Sequence, residues 1–275
     1  MLVSAVGFAV MNACAKLVSA RIPFLEVASL RSLLGLPFII MYARSRGVSL
    51  RVHNRRVALV RTVTGTIAQS FSFYALATAP LSESSTLLNL TPVFVALLGA
   101  IWLRERVSAL VAACLGAGLC GALLVFRPHG DQLSTGGLAA IASALASAMS
   151  MVTLRRLGAT ESPEAIVLVF QTGSGVVLGL ASLSAFVPPT GREALLIAGV
   201  ALSATVAQIA MTRAYALDIA ARVGGMNYLN IVVSLAIAAA VFGERPPPLA
   251  LAGIGLIIAS GVVLVLSGRR AAQRA

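Results

Sequence analysis

The stretch PLSESSTLLNLTPVF, at residues 80–94, concentrates polar side chains in a strongly apolar chain. On a helix, Ser82, Thr86 and Asn89 fall at i, i+4 and i+7 and share one stripe. Glu83 borders that stripe. Hydroxyls, an amide and a carboxylate can bind a polar solute, but such groups also hold helices together in bilayers. We therefore expect a substrate-lining helix, with helix–helix bonding as the alternative.

Pro92 follows this stripe inside the same apolar run, from 81 to 103. A proline inside a helix removes a backbone donor, so we expect a kink that turns a free carbonyl toward a cavity. A second polar stretch in the later part of the chain, ARVGGMNYLNIVVSL, carries Asn227, Tyr228 and Asn230. Both stretches predict amide-bearing walls of one site.

Other polar residues also lie inside apolar runs. Arg31 is a candidate cation for a substrate carboxylate, or else it pairs with an acid or reaches the interface. Gln69 is a cavity candidate because an amide far from the helix ends needs partners. Tyr74 can grip a ligand or anchor the interface. Gln171 and Gln208 are secondary candidates, with helix–helix hydrogen bonding as the alternative.

Three further charged residues are interpreted as structural. Arg61 lies one turn beyond Arg55 and Arg56, so we expect it to extend to the membrane interface. Glu105 and Glu244 adjoin arginines at predicted helix ends, where ion pairing and helix capping account for them.

The composition indicates a polytopic helical membrane protein. The chain is 59% hydrophobic and 11% charged, and long apolar runs recur along all 275 residues. The net charge of +12 comes from clusters between these runs, so it indicates topology and not nucleic-acid binding. The cysteines and histidines have no metal-binding spacing, and we expect no metal and no cofactor.

Ten membrane spans are predicted from apolar runs of about 20 residues. They are 2–20, 24–43, 57–79, 81–103, 107–126, 136–154, 164–187, 194–214, 219–242 and 248–267. With the N-terminus inside, fourteen basic residues lie on the cytoplasmic side and five on the other. The positive-inside rule therefore predicts that both termini are cytoplasmic.

The chain also resembles itself at an offset of 139 residues. Glu105 falls on Glu244, just before the last span of each half, and Gly116 falls on Gly255 within that span. Five spans per half would insert the halves in opposite orientations, as in transporters with alternating access. The predicted organisation is a first repeat at 1–126, a linker at 127–135, a second repeat at 136–267 and a cytoplasmic tail at 268–275.

These features together resemble the EamA-type group of the drug/metabolite transporter superfamily. The resemblance rests on the two five-span halves, on Arg31 in LRSLLGLPF, on LTPVF at 90–94 and on the Glu-Arg junctions at 104–106 and 243–245. It implies an all-α membrane fold of ten helices in two inverted repeats around a central cavity. It also implies movement of small organic metabolites, often outward. Twenty of the 21 basic residues are arginine in an Ala- and Gly-rich chain, which indicates a GC-rich bacterial genome, so we expect a bacterial cytoplasmic membrane.

Two other classes of function are set aside on the sequence. Lys16 is the only lysine, and no GxxxxGK[ST] loop exists to bind ATP, so a facilitator or a proton-coupled transporter remains. Glu83, an acid within a span and away from the basic clusters, is the candidate for proton coupling or cation binding. We expect no enzyme, because His53 and His129 are predicted in loops on opposite faces and no paired carboxylates appear.

The predicted substrate is a small zwitterion, because the candidate site combines a cation, an acid, amides and an aromatic ring. An amino-acid-like or related nitrogenous compound would match these groups. Uptake of a nucleoside-like or vitamin-like metabolite is the alternative, as is a non-transporting membrane subunit. The expected partners are the substrate, the lipid bilayer and protons.

Overall fold

A computed structural model describes residues 1–18, 21–78, 87–105, 107–126, 135–242 and 248–272. Within these ranges the regular elements are helices, and no strand occurs. The α-helices are α1 (Leu2–Val18), α2 (Phe24–Ser45), α3 (Arg55–Thr78), α4 (Thr91–Trp102), α5 (Ala109–Phe126), α6 (Thr135–Leu157), α7 (Pro163–Ser182), α8 (Gly191–Leu217), α9 (Ala220–Gly225), α10 (Leu229–Phe242) and α11 (Pro248–Ala272).

These helices correspond to the ten predicted spans, with one interruption. The ninth span divides into α9, a 3₁₀ turn at Met226–Tyr228, and α10. The break follows Gly224 and Gly225, since glycine is a poor helix former and adds no side chain to hold the turn. Counted as one segment, this region brings the number of α-helices in the described ranges to ten.

Four helical segments are long and apolar enough to cross a bilayer, among the residues that the structure describes. They are Phe24–Ser45, Thr135–Leu157, Pro163–Ala185 and Gly191–Leu217. Shorter apolar helical stretches lie at Leu2–Ala15, Thr91–Trp102, Ala109–Leu124 and Leu251–Leu264. Many large apolar side chains on these helices are exposed, as a lipid solvent permits.

The fourth predicted span differs from the structure at its beginning. The prediction of one helix across residues 81–103 is wrong, because Asn89 and Leu90 form a turn and α4 begins at Thr91. Pro92 therefore lies in the first helical turn, where a missing N–H costs no helical hydrogen bond. The expected kink inside a helix is not formed at this residue. Residues 79–86 lie outside the described ranges.

Two compact units make up the chain, and each combines segments from both predicted repeats. Unit 1 comprises Met1–Ile67 and Thr153–Leu217, and unit 2 comprises Ala68–Val152 and Asp218–Ala275. In unit 1, α2 packs against α7 and α8, and α1 packs against α8. In unit 2, α5 packs against α11, and α4 packs against α9.

The helix limits of the second half reproduce those of the first at the offset of 139 residues. The end of α1, the start of α2, the end of α3 and the start of α5 fall on the corresponding limits of α6, α7, α8 and α11. The last helix runs to Ala272, past its predicted end at 267. The predicted linker lies outside the described residues except for its last position, Thr135, where α6 begins.

Candidate functional site

A narrow polar crevice lies inside unit 1, among α2, α7 and α8. Its lining residues are Arg31, Ser32, Phe170, Gln171, Ala204 and Gln208. At about 1.5 Å per residue, Arg31 lies roughly 10 Å from the beginning of α2 and roughly 21 Å from its end. The crevice therefore lies well within the helical span and away from both ends of α2.

Arg31 has no carboxylate partner among the described residues. Its Nη1 donates to the Met11 sulfur at 3.1 Å, and its buried Nε has no hydrogen-bond partner. A thioether is a weak acceptor, so it does not neutralise a guanidinium. The described part of the chain therefore offers no acidic partner for the alternative interpretation, in which Arg31 forms a structural ion pair.

The amide of Gln171 has a defined orientation. The Thr205 hydroxyl donates to the Ala201 carbonyl at 2.8 Å, so its oxygen is left to accept a bond. Gln171 Nε2 donates to that oxygen at 3.0 Å, which bonds α7 to α8. The Oε1 atoms of Gln171 and Gln208 are buried and have no partner. Two acceptors are thus unsatisfied beside the crevice.

The expectation that Arg61 extends to the membrane interface is wrong. Its side chain is only 5% exposed, and its guanidinium carbon lies 4.2 Å from the centre of the Phe170 ring. The ring face is electron-rich and attracts the cation, so Arg61 turns inward instead of reaching the interface. Phe170 thereby has Arg61 over its ring and lines the same crevice as Arg31.

The other described site candidates belong to unit 2. Both amide atoms of Gln69 are buried without hydrogen-bond partners. Asn227 Nδ2 lies 3.8 Å from the Met151 sulfur, and Asn230 Oδ1 accepts a bond from Ser234 at 3.4 Å. Asn89 is partly buried in the turn before α4. Several amides of unit 2 therefore lie partly or fully inside the protein.

The two candidate tyrosines have opposite environments. Tyr74 is 50% exposed, whereas Tyr228 is 1% exposed and packs with Ala122 and Ile257. The Tyr228 ring covers Gly118 so closely that a Cβ at this glycine would overlap it. Its hydroxyl is buried without a hydrogen-bond partner. Tyr228 thus contributes to the packed interior of unit 2.

The structure divides the predicted site residues between the units. Arg31 belongs to unit 1, and Gln69, Tyr74, Asn89, Asn227, Tyr228 and Asn230 belong to unit 2. Glu83 and Thr86 lie outside the described ranges, as does Glu244. Sequence reasoning missed Phe170 and Thr205, because a phenylalanine or threonine in an apolar helix has no distinguishing pattern.

Ion pairs close the two ends of α8 in unit 1. Near its beginning, Arg21 Nε donates to Glu193 at 2.8 Å. Near its end, Arg213 donates to the buried Glu164 at 2.6 Å. Glu26, at the start of α2, accepts from the Val187 backbone at 2.9 Å. Glu193 and Glu164 are thus paired with arginines, whereas Glu26 has one bonded oxygen and one buried oxygen, Oε1, without a hydrogen-bond partner.

Glu161 joins two loops at one end of unit 1. It accepts backbone hydrogen bonds from Asn54 at 2.8 Å and from His53 at 3.0 Å. Burial favours the neutral form of Glu161, but these donors outweigh burial and hold its pKa below the usual value. The loop before α3 is thereby fastened to the loop before α7.

Glu105 has the structural role that its position predicted. Its Oε2 accepts from the backbone N–H of Ala220 at 2.8 Å, at the beginning of α9. A carboxylate at the beginning of a helix accepts a hydrogen bond from a free backbone N–H and interacts favourably with the helix dipole. The described part of the chain contains no cluster of three or more His, Cys, Asp or Glu side chains able to hold a metal.

Apolar helices around polar interior residues define a helical membrane protein. A crystal structure matches it with a TM-score of 0.85 over 98% of each chain, at 21% sequence identity, which establishes the fold. Residues 1–127 match the EamA-like transporter family.

Curated relatives extend this match to nearly the whole chain. The chain is 32% identical to the pseudopaline exporter CntI of Pseudomonas aeruginosa, over 94% of this chain and 91% of that protein. It is 26% identical to a riboflavin transporter of Vibrio cholerae, over 94% and 89%. The chain belongs to the EamA-like transporter family and is a small-molecule transporter of the drug/metabolite transporter superfamily. This confirms the resemblance found in the sequence.

Proposed function

We propose that this protein exports a small, amino-acid-like nitrogenous metabolite across a bacterial cytoplasmic membrane by alternating access. The observation that carries the proposal is the 32% identity to a pseudopaline exporter along nearly the whole chain. Both termini would lie in the cytoplasm, because fourteen of the basic residues then flank the spans on that side.

The helix arrangement supports a pair of repeats. Helix limits recur at the offset of 139 residues, and α2 packs against its counterpart α7, as α5 does against α11. A pseudo-two-fold axis brings equivalent helices together, which is the architecture of inverted-repeat carriers. Among the predicted residues of unit 2, Gln69 has the amide that best supports substrate contact, because both of its polar atoms are buried without partners.

Flux in oriented membrane vesicles tests the proposal. Inside-out vesicles containing the protein should accumulate radiolabelled amino acids or related compounds when a pH gradient is imposed. Right-side-out vesicles should release them, and vesicles from cells without the gene provide the background. Equal flux with and without the protein, for every compound in the panel, would contradict transport of this class.

Uptake of a vitamin-like compound is the second candidate. Two relatives are named riboflavin transporters, at 26% and 25% identity along nearly the whole chain. Two others, at 22% identity, are named S-adenosylmethionine uptake transporters. Accumulation of riboflavin by right-side-out vesicles that contain the protein would favour this candidate over export.

A further inference from the structure

We propose that Arg31, Gln171 and Gln208 bind the head group of a carboxylate-bearing zwitterion, with the carboxylate on Arg31 and the ammonium on the two amides. This inference specifies the substrate class of the proposed function. It depends on that function only for the statement that the bound compound is then exported. It places recognition of the charged head inside unit 1.

The positive side of the site comes from Arg31. Its Nε is buried without a partner, and among the described residues only the Met11 sulfur accepts a hydrogen bond from its guanidinium. An uncompensated charge inside a membrane span is unfavourable, so such a residue is expected to meet an opposite charge or water. A guanidinium presents paired donors that match a carboxylate, and forming that pair would satisfy Arg31.

The negative side of the site comes from the two amide oxygens. Gln171 cannot turn its oxygen toward Thr205, because the Thr205 proton is already donated to Ala201. Its Oε1 therefore remains an acceptor, and the buried Oε1 of Gln208 is a second one. An ammonium carries three donors, so it can satisfy both oxygens.

The surrounding residues favour a ligand that brings a carboxylate group over one that has none. Arg61 lies over the Phe170 ring, and Phe170 and Arg31 line the same crevice. The described acids of unit 1 lie near the helix ends, where Glu164 and Glu193 already pair with arginines. The crevice has no free volume for a ligand in this structure, so binding would require α2, α7 and α8 to separate around the head group, with the rest of the substrate outside it.

Thermal unfolding of the purified, detergent-solubilised protein tests this site without requiring transport. The probes are matched pairs that differ only at the α-carboxylate: L-histidine with L-histidinamide, L-phenylalanine with L-phenylalaninamide, and L-glutamate with L-glutamate 1-amide. Riboflavin, which has no carboxylate, is the unrelated probe. We expect at least one free acid to raise Tm. Its amide partner should bind more weakly by a factor of about ten or more.

Arg31→Gln should abolish the difference between acid and amide, and Arg31→Lys should keep part of it because the charge remains. Arg44→Gln is the matched control, since Arg44 lies on the same helix but is exposed near its end. Gln208→Leu removes one acceptor for the ligand ammonium. N-acetylation of the ligand, which removes that ammonium, should therefore lower the Tm shift less in Gln208→Leu than in the wild type. This variant and Arg31→Lys decide the question if Arg31→Gln does not fold.

Several outcomes would overturn the site. They are equal stabilisation by acid and amide, no stabilisation by any free acid, and unchanged acid preference in Arg31→Gln. An acid preference without vesicle flux would contradict the transport proposal and leave the site standing. Equal vesicle flux of acids and amides would contradict the proposed site and leave the transport proposal standing.

Discussion

The two compact units bury polar groups in different ways. In unit 1, Glu193 and Glu164 form ion pairs near opposite ends of α8, and Arg31 lies between these ends without an acidic partner among the described residues. In unit 2, both polar atoms of the Gln69 amide are buried, and the Asn227 amide is partly buried. Among the candidate site residues, the described charge therefore lies in unit 1 and the described candidates of unit 2 are neutral, although unit 2 also holds the ion pair of Arg222 with Asp218.

Packing differs between the units as well. In unit 2, Gly118 and Gly121 of α5 approach Tyr228 and Ile257 so closely that neither has room for a Cβ. In unit 1, a Cβ at Gly35 would meet the polar side chains of Thr205 and Gln171. Unit 1 also uses glycine for close apolar packing, since a Cβ at Gly7 would lie 2.9 Å from the Ala207 Cβ, but at Gly35 the small residue lies against polar side chains beside the crevice.

Replacing Glu83 tests whether charge recognition is confined to unit 1. If Glu83 couples transport to protons, Glu83→Gln should remove the stimulation of vesicle flux by a pH gradient, because an amide does not titrate. Flux driven by the substrate gradient alone should remain and serves as the internal control. Full pH-gradient dependence in Glu83→Gln vesicles would end this role for Glu83.

Glycine substitutions in α5 test the packing of unit 2. A Cβ at Gly121 would lie 2.8 Å from the Gly253 carbonyl oxygen, which belongs to the backbone and cannot turn aside. We expect Gly121→Ala to destabilise the protein by about 1–3 kcal/mol, the usual cost of overpacking. Gly116→Ala is the matched control, because nothing lies within 4 Å of its Cβ position. Similar Tm values for the two variants would refute the close contact.

Gly35→Ala tests the crevice of unit 1. The added Cβ would lie 2.6 Å from Thr205 Oγ1, so the bond between Gln171 and Thr205 must give way. We expect a loss of about 1 kcal/mol in stability, the usual worth of such a bond. Acid selectivity in the thermal assay should weaken with it. Gly199→Ala, with open space around it, should change neither property.

Glu161→Gln tests the loop contact at the end of unit 1. The folded-state pKa of Glu161 lies below its usual value of 4.5, so its ionised form stabilises the fold above that pH. This contribution is lost as the pH falls through the folded-state pKa. We expect Glu161→Gln to lower Tm at pH 7 and the gap from wild type to close below pH 4.5. A gap that persists unchanged into acid would contradict this role.

The sequence predicted the helices well, and its misses have local causes. Nine predicted spans begin or end close to the observed helices, because a bilayer demands consecutive apolar residues. The fourth differs because the turn at Asn89 and Leu90 interrupts an apolar run without changing its composition. The position of Arg61 one turn beyond Arg55 and Arg56 predicts a side chain that reaches the interface. Sequence spacing contains no information on the Phe170 ring that attracts it inward.

By itself, the sequence determined that this protein is a helical membrane transporter and where most of its helices run. Those properties follow from apolar runs and motifs that are read along the chain. Only the tertiary structure decided which polar groups have partners: Gln171 bonds to Thr205, whereas Arg31 meets no described acid. The reason is physical, because a partner is contributed by a helix distant in sequence, and helix packing determines which side chains meet.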